Sequence, residues 1–297
     1  MSLSPKDIHA TGRLIRIGYV EGDKYEALVD PEETIKAVRA SGARVDILTF
    51  MQTLSTATRR YPYLMEMDNF AALPVSTFDH WYNKTIGFKV RNKVKKAAKG
   101  GVTVKEVTFD DALVQGISAI CNESPIRQGR RFWHYGQDLE TIRRVHGTFP
   151  DRSIFIGAFF DGALIGFAKL VTDRDNGQAG LMHIISMIKH RDKAPTNALI
   201  AQAVRSCADR HIPYLVYSNF AYGNKQRDTL SDFKEGNGFE RRDVPRYYVP
   251  LTIVGSMALR LGLHHGLAER IPESLLSRLR ELRNSWYSRK FQLSHEA

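Results

Sequence analysis

A chain of 297 residues, 43% apolar and 25% charged, has ample material for a buried core and the composition of an ordinary globular protein. The net charge of +11 favours anionic partners such as phosphates, coenzymes, RNA or acidic lipid headgroups, while two distant cysteines, Cys121 and Cys207, exclude a disulfide framework. No apolar run reaches the roughly 20 residues of a membrane span, Met1–Gly12 lacks a secretion signal's apolar stretch, and a reducing, cytoplasmic home is expected.

Arg13–Val20 and Tyr25–Val29 read as strands joined by a Gly22-Asp23 turn. Asp30 is a good N-cap, Pro31 a good first helical residue, and Glu32 and Glu33 suit the positive end of the helix dipole. Ile35 and Val38 face inward and Gly42 ends this helix. Val45–Phe50 and Tyr63–Met67 are further strands, giving an amino-terminal α/β segment over residues 1–75.

Phe78–Lys99 reads as one helix, with Ile86, Val90 and Val94 forming its apolar stripe. Its other faces carry Lys84, Lys89, Arg91, Lys93, Lys95, Lys96 and Lys99, with no acid after Asp79. A solvated face is the ordinary fate of such a charge run. The same run suits phosphate contacts, so RNA or an acidic membrane surface is an alternative partner for residues 84–99. Gly100-Gly101 stops the helix and Val102–Phe109 is a strand. Helices follow at Asp110–Cys121 and Asp138–Val145.

Between those helices the stretch Asn122–Gly136 packs Glu123, Arg127, Arg130, Arg131, Trp133, His134 and Tyr135 into one loop. Arginines recognise carboxylate or phosphate in a bidentate manner. Glu123 and His134 can relay a proton near neutral pH. The bland alternative is a charged surface loop pinned by aromatic residues.

Ser153–Phe160 is a short apolar strand ending in Asp161-Gly162, a strong hairpin signal. Ala163–Val171 and Gly180–Ile188 continue as strands. His183 shares a strand face with Leu181, Ile185 and Met187, so a core position is its expected fate. A charged loop, His190–Lys193, leads to a helix that opens at Ala194-Pro195 and closes before Pro213, with Cys207 on its apolar stripe as a core thiol. Tyr214–Ser218 is a strand, Asp228–Glu235 a helix and Tyr247–Leu251 a last strand. The core over residues 76–252 is followed by a basic helical tail, 253–297, with helices at Ile253–Gly262 and Ser274–Trp286. No cluster of histidine, cysteine or carboxylate has metal-ligand spacing, so no metal is expected.

The element order of this core resembles the GNAT acyltransferases. Arg91-Asn92-Lys93-Val94-Lys95-Lys96-Ala97 with Gly100-Gly101-Val102-Thr103-Val104 resembles the basic helix, glycine and strand of Fem-type peptidyl transferases. Asp232-Phe233-Lys234 and Asn237-Gly238-Phe239 resemble that group's closing element, and Asp161-Gly162 to Phe167 its hairpin. The resemblance covers residues 74–251 and implies a mixed, mostly antiparallel sheet flanked by helices, with a possible degenerate GNAT half at the amino end. It implies an N-acyltransferase in which an amine attacks an acyl thioester directly. It also implies acyl-CoA as co-substrate, with Lys193, Ala194, Thr196, Asn197 and Ala198 as the phosphate-binding helix start. The family's glycine-rich loop is missing at Arg191–Asn197, where Pro195 stands instead. Tyr222 is the implied general acid for the leaving thiolate, and Asn219 orients coenzyme or substrate. The loop holding Glu123 and His134 lies where acceptors enter such folds. Two other readings stay open: a Fem-like transferase fed by aminoacyl-tRNA, and a non-catalytic protein that binds RNA or acidic lipid.

Overall fold

Caps and tight turns divide the chain into twelve strands and eight helices in a computed structural model that describes residues 8–20, 22, 25, 28, 30–54, 58–127, 130–221 and 229–265. β1 (Ile8–Thr11) and β2 (Ile17–Val20) form an antiparallel pair at one sheet edge. The strand expected over Tyr25–Val29 is not present where it is described. Tyr25 lies in a turn, its amide donating to the Gly22 carbonyl (2.8 Å), and Leu28 is irregular. α1 (Pro31–Ala40) starts as its sequence demands, with the Asp30 carboxylate accepting from the Glu33 amide at 3.0 Å.

β3 (Ile47–Met51) is buried along its whole length and runs parallel to β2. β4 (Leu64–Pro74) extends well past the expected Met67, because Phe70, Ala71, Ala72 and Leu73 are all buried at the centre of the sheet. The helix expected over Phe78–Lys99 is broken. α2 (Phe78–His80) runs into a π-helical turn, Trp81–Thr85, and Ile86 is extended before Gly87 restarts the chain as α3 (Phe88–Lys99). Tertiary packing overrides the helical stripe here. Trp81 is buried and its Nε1 donates to the Asn237 carbonyl at 2.9 Å, fixing the turn against a distant loop.

β5 (Thr103–Val107) is the other sheet edge. α4 (Asp111–Cys121) and α5 (Leu139–His146) are capped by Asp110 and Asp138. Between them β6 (Ile126–Arg127) and β7 (Arg130–Arg131) make a two-residue ladder. β8 (Ser153–Phe160) and β9 (Ala163–Thr172) turn through Asp161 and Gly162 at φ of 50° and 78°, the two positive values that a primed hairpin turn requires. β10 (Ala179–Ser186) leads through a 3₁₀ turn, Ile188–Lys193, into α6 (Pro195–Asp209). β11 (Tyr214–Asn219), α7 (Thr229–Gly236), β12 (Glu240–Pro250) and α8 (Ile253–Arg260) complete the described chain. The second tail helix expected at Ser274–Trp286, like Tyr222, lies outside the described residues.

Ten strands form one sheet in the order β1-β2-β3-β12-β4-β11-β10-β9-β8-β5. Only β2/β3 and β10/β11 pair in parallel. The amino-terminal strands continue the same sheet, with β4 between β12 and β11. A side chain at Gly166 of β9 would meet Leu199 of α6, while Phe167 meets the His146 ring of α5 at 5.5 Å. Neighbouring strand residues point to opposite faces, so α5 and α6 cover opposite sides of the sheet. β9 is buried at every position after Ala163, which accounts for its near-continuous apolar run. Cys121 and Cys207 are both buried, and burial pushes their thiols up to about 11 and about 12. They are core thiols, as the stripe at Cys207 foretold.

Candidate active site

The parallel partners β10 and β11 pair only at Ala179 with Leu215 and Gly180 with Val216, and then separate. Each strand is irregular just past that point. β10 shifts register against β9 between Leu181 and His183, and β11 shifts against β4 between Val216 and Asn219. Ser218 sits at φ 44°, a conformation few residues other than glycine accept. The two irregularities open a fork at the carboxyl ends of parallel strands, the position where ligands enter open α/β sheets.

On the β10 side lies a histidine cluster. The rings of His146 and His183 are 4.4 Å apart, and His134 lies 5.6 Å from His146. Burial, reinforced by His134 and Lys169, holds His146 at about 4. Burial, then His146, Lys169 and His134, holds His183 at about 3. Burial lowers His134 as well, against a hydrogen bond from its Nδ1 to Gln137 Oε1 (3.3 Å). All three imidazoles are therefore neutral at pH 7. Both ring nitrogens of His146 and Nε2 of His183 are buried without a hydrogen-bond partner among the described residues. Lys169, fully buried on β9, closes the cluster by donating to the carbonyls of His146 (2.9 Å) and Thr148 and to Thr148 Oγ1 (2.9 Å).

On the β11 side, Asn219 Nδ2 donates to Asp68 Oδ1 at 2.8 Å, and Arg246 Nε reaches Asp68 Oδ2 at 3.1 Å. Lys234, also fully buried, donates to the Asn219 carbonyl and lies 4.7 Å from the centre of the Tyr217 ring. Lys169 and Lys234 bring positive charge to opposite flanks of the fork.

The loop residues do not converge as one set. Glu123 is a clamp: Oε2 accepts from the Ile188 amide (2.6 Å) and Oε1 from the Lys189 amide (2.8 Å), just past β10. Arg127 bonds Glu123 (3.2 Å), the Ile120 carbonyl (2.7 Å) and the Ser186 carbonyl (2.8 Å), tying the end of α4 to the end of β10. Arg131, Trp133 and Tyr135 are exposed, and the Arg130 backbone is part of β7. Among the described residues no hydrogen bond or ring contact links Asn219 to Glu123 or His134.

No known family profile and no curated protein matches the sequence. Solved structures do. FemX matches at a TM-score of 0.58 and 10% identity over 85% of each chain. The C-terminal (DUF2156) domain of a putative lysylphosphatidylglycerol synthetase from Agrobacterium fabrum matches at 0.54 and 14% identity, over 86% of this chain and 87% of that one. L-PGS from Bacillus licheniformis matches at 0.54 and 13% identity, over 81% of this chain and 80% of that one. The chain shares the fold of these three structures.

In a GNAT-like fold the junction between β10 and α6 is the expected coenzyme cradle, and the residues present do not fit a pyrophosphate. The amides of Asn197 and Ala198, expected to be free, both donate to the Ala194 carbonyl at 3.2 and 3.3 Å. Ala194 itself is left-handed at φ 54°, and Pro195 has no N–H. Asn197 is buried against Asn237 (3.3 Å), Thr196 Oγ1 pairs with Ser186 Oγ (2.9 Å), and Lys193 Nζ lies 4.1 Å from the centre of the Phe160 ring. The carboxylate of Glu123 already satisfies the two amides that open the 3₁₀ turn. Sequence reasoning missed His146, Lys169 and Asp68. No motif joins them, and only the β9–β10 pairing and the α5 packing bring the first two to His183.

Proposed function

We propose that this protein is an acyltransferase whose donor is an aminoacyl ester carried on tRNA and whose acceptor is an amine. The β10–α6 junction carries the reading, since the Asn197 and Ala198 amides are spent on the Ala194 carbonyl and the fixed carboxylate of Glu123 holds the Ile188 and Lys189 amides just before it. Like charges in one site repel, so that position disfavours a pyrophosphate. The basic α3 packs on α6 and touches the Ile188–Lys193 turn, which adds Lys189, Arg191 and Lys193 to the same side. The putative lysylphosphatidylglycerol synthetase domain, with which the fold is shared, supports an aminoacyl donor by its name.

In the reaction the acceptor nitrogen bonds to the ester carbonyl carbon while the carbon–oxygen bond to the ribose breaks. The nitrogen gives up a proton and the ribose oxygen gains one. A neutral imidazole that is not pushed far below the working pH is the right acceptor for that proton, and His134, at the edge of the histidine cluster, is the candidate. The ammonium of Lys234, held beside the Asn219 carbonyl, offers positive charge to the oxygen that becomes negative. Tyr222, which the resemblance makes a proton donor, would serve the departing ribose oxygen.

Melting of the purified protein with free CoA, acetyl-CoA and uncharged tRNA tests the donor. A ligand at about 100 times its Kd adds about 2.7 kcal/mol. We expect a shift with tRNA and none with either coenzyme, followed by transfer of label from charged tRNA to an acid-stable amide. A shift with CoA alone would restore the thioester reading. A shift with tRNA but no transfer from any charged tRNA to an amine panel would leave a binding protein.

A further inference from the structure

The fold brings Glu66 of β4 together with His264 and His265, which lie in the turn past α8. Glu66 Oε1 lies 2.9 Å from His264 Nε2 and 3.0 Å from His265 Nε2, and the three ligand atoms are all within 4.8 Å of one another. Consecutive side chains point apart in a strand and about 100° apart around a helix. The turn over residues 261–264 instead aims both imidazoles the same way, with ring centroids 4.1 Å apart. His264 is buried and packs edge-on against Tyr248 at 4.7 Å. Arg246 stands opposite Glu66 in the β12–β4 register, and its Nε donates to Asp68 (3.1 Å).

Two imidazole nitrogens and one carboxylate oxygen form the ligand set of a divalent transition metal. Metal bonds of about 2.0–2.2 Å to such ligands place tetrahedral donors about 3.3 Å from each other, close to the two Glu66–histidine spacings. A donor set rich in nitrogen selects against calcium and magnesium, which want oxygen. Three protein ligands leave a fourth position for water or another donor.

We propose that Glu66, His264 and His265 bind one divalent transition-metal ion, with Zn²⁺ as the fitting occupant, and that this ion fastens the chain beyond α8 to the centre of the sheet. The site is independent of the donor that the fork takes. The test is Zn²⁺ binding by the full chain after dialysis against a chelator, read by elemental analysis, by competition with a coloured chelator, and by visible absorption with Co²⁺. One Zn²⁺ per chain is expected, together with a Tm that rises on zinc addition. Glu66→Gln, His264→Ala and His265→Ala should each weaken binding at least tenfold, while His80→Ala on the exposed α2 should not. His265 is only partly buried, so His265→Ala should keep the wild-type Tm in chelator and lose the zinc-induced rise. Absence of stoichiometric zinc, or undiminished binding in Glu66→Gln and His265→Ala, would overturn the site.

Discussion

His146 and His183 make the stability of this protein depend on pH in a defined direction. Burial comes first among the causes that hold them at about 4 and about 3, far below the ordinary 6.5. The unfolded chain therefore takes up protons at these positions before the folded one does. Their contribution is complete above about pH 6.5 and is lost as pH falls through the window from 6.5 toward 4 and 3. Each histidine should cost about 1.4 kcal/mol per pH unit within that window. His183→Leu should flatten the fall of the urea midpoint between pH 7.5 and 5, and so should His146→Leu. A wild-type slope in both variants would refute the assignment. Glu123 teaches the opposite lesson. Its residue type and its loop suggest a proton carrier, whereas both oxygens are spent on the Ile188 and Lys189 amides. A carboxylate so engaged positions backbone.

At the scale of elements, one glycine decides how α8 docks. A side-chain carbon at Gly255 would overlap the Asp46 carbonyl oxygen, so the helix rests backbone to backbone on the start of β3. Asp46 holds the same corner with its side chain, accepting from the Arg16 amide (2.9 Å) and the Thr252 hydroxyl (2.7 Å). Gly255→Ala should destabilise by about 1–3 kcal/mol, since overpacking a rigid contact forces backbone movement. An equal or higher denaturant midpoint would show that α8 can shift at no cost. Such contacts explain what sequence reasoning reaches. Asp30-Pro31 and Asp161-Gly162 act through local geometry, and the helix and hairpin they announce are present. The Phe78–Lys99 stripe is also local, but the Trp81–Asn237 bond across the fold breaks that helix at Ile86. Only part of β4 is legible in the sequence, because its buried half, Phe70–Leu73, lacks the polar alternation of a half-exposed strand. The fork depends on where two strands stop pairing, and the Glu66–His264–His265 set on a contact across 198 residues, beyond any spacing rule.

For the whole molecule, the net charge of +11 acquires a location. Lys89, Lys93, Lys95, Lys96 and Lys99 are exposed along α3, and none forms an ion pair with a described residue. Arg91 is different: its guanidinium donates to the carbonyls of Tyr82 (3.3 Å) and Asn83 (3.0 Å), bracing the π-helical turn from inside the basic face. The remaining lysines sit on the helix that packs against α6, on the sheet face opposite the histidine cluster. A polyanion drawn to α3 would approach the fork from one side while an acceptor reaches His134 and His183 from the other. Each phosphate neutralised by a lysine contributes roughly 0.7–0.9 to the slope of log affinity against log salt. Replacing Lys95 and Lys96 by Gln should therefore lower the slope for tRNA by roughly 1.4–1.8 and weaken binding at low salt. Lys36→Gln on α1, far along the sheet, should do neither. An equal loss from Lys36→Gln would mean that attraction is spread over the whole basic surface, and α3 would lose its claim to be the side on which the donor docks.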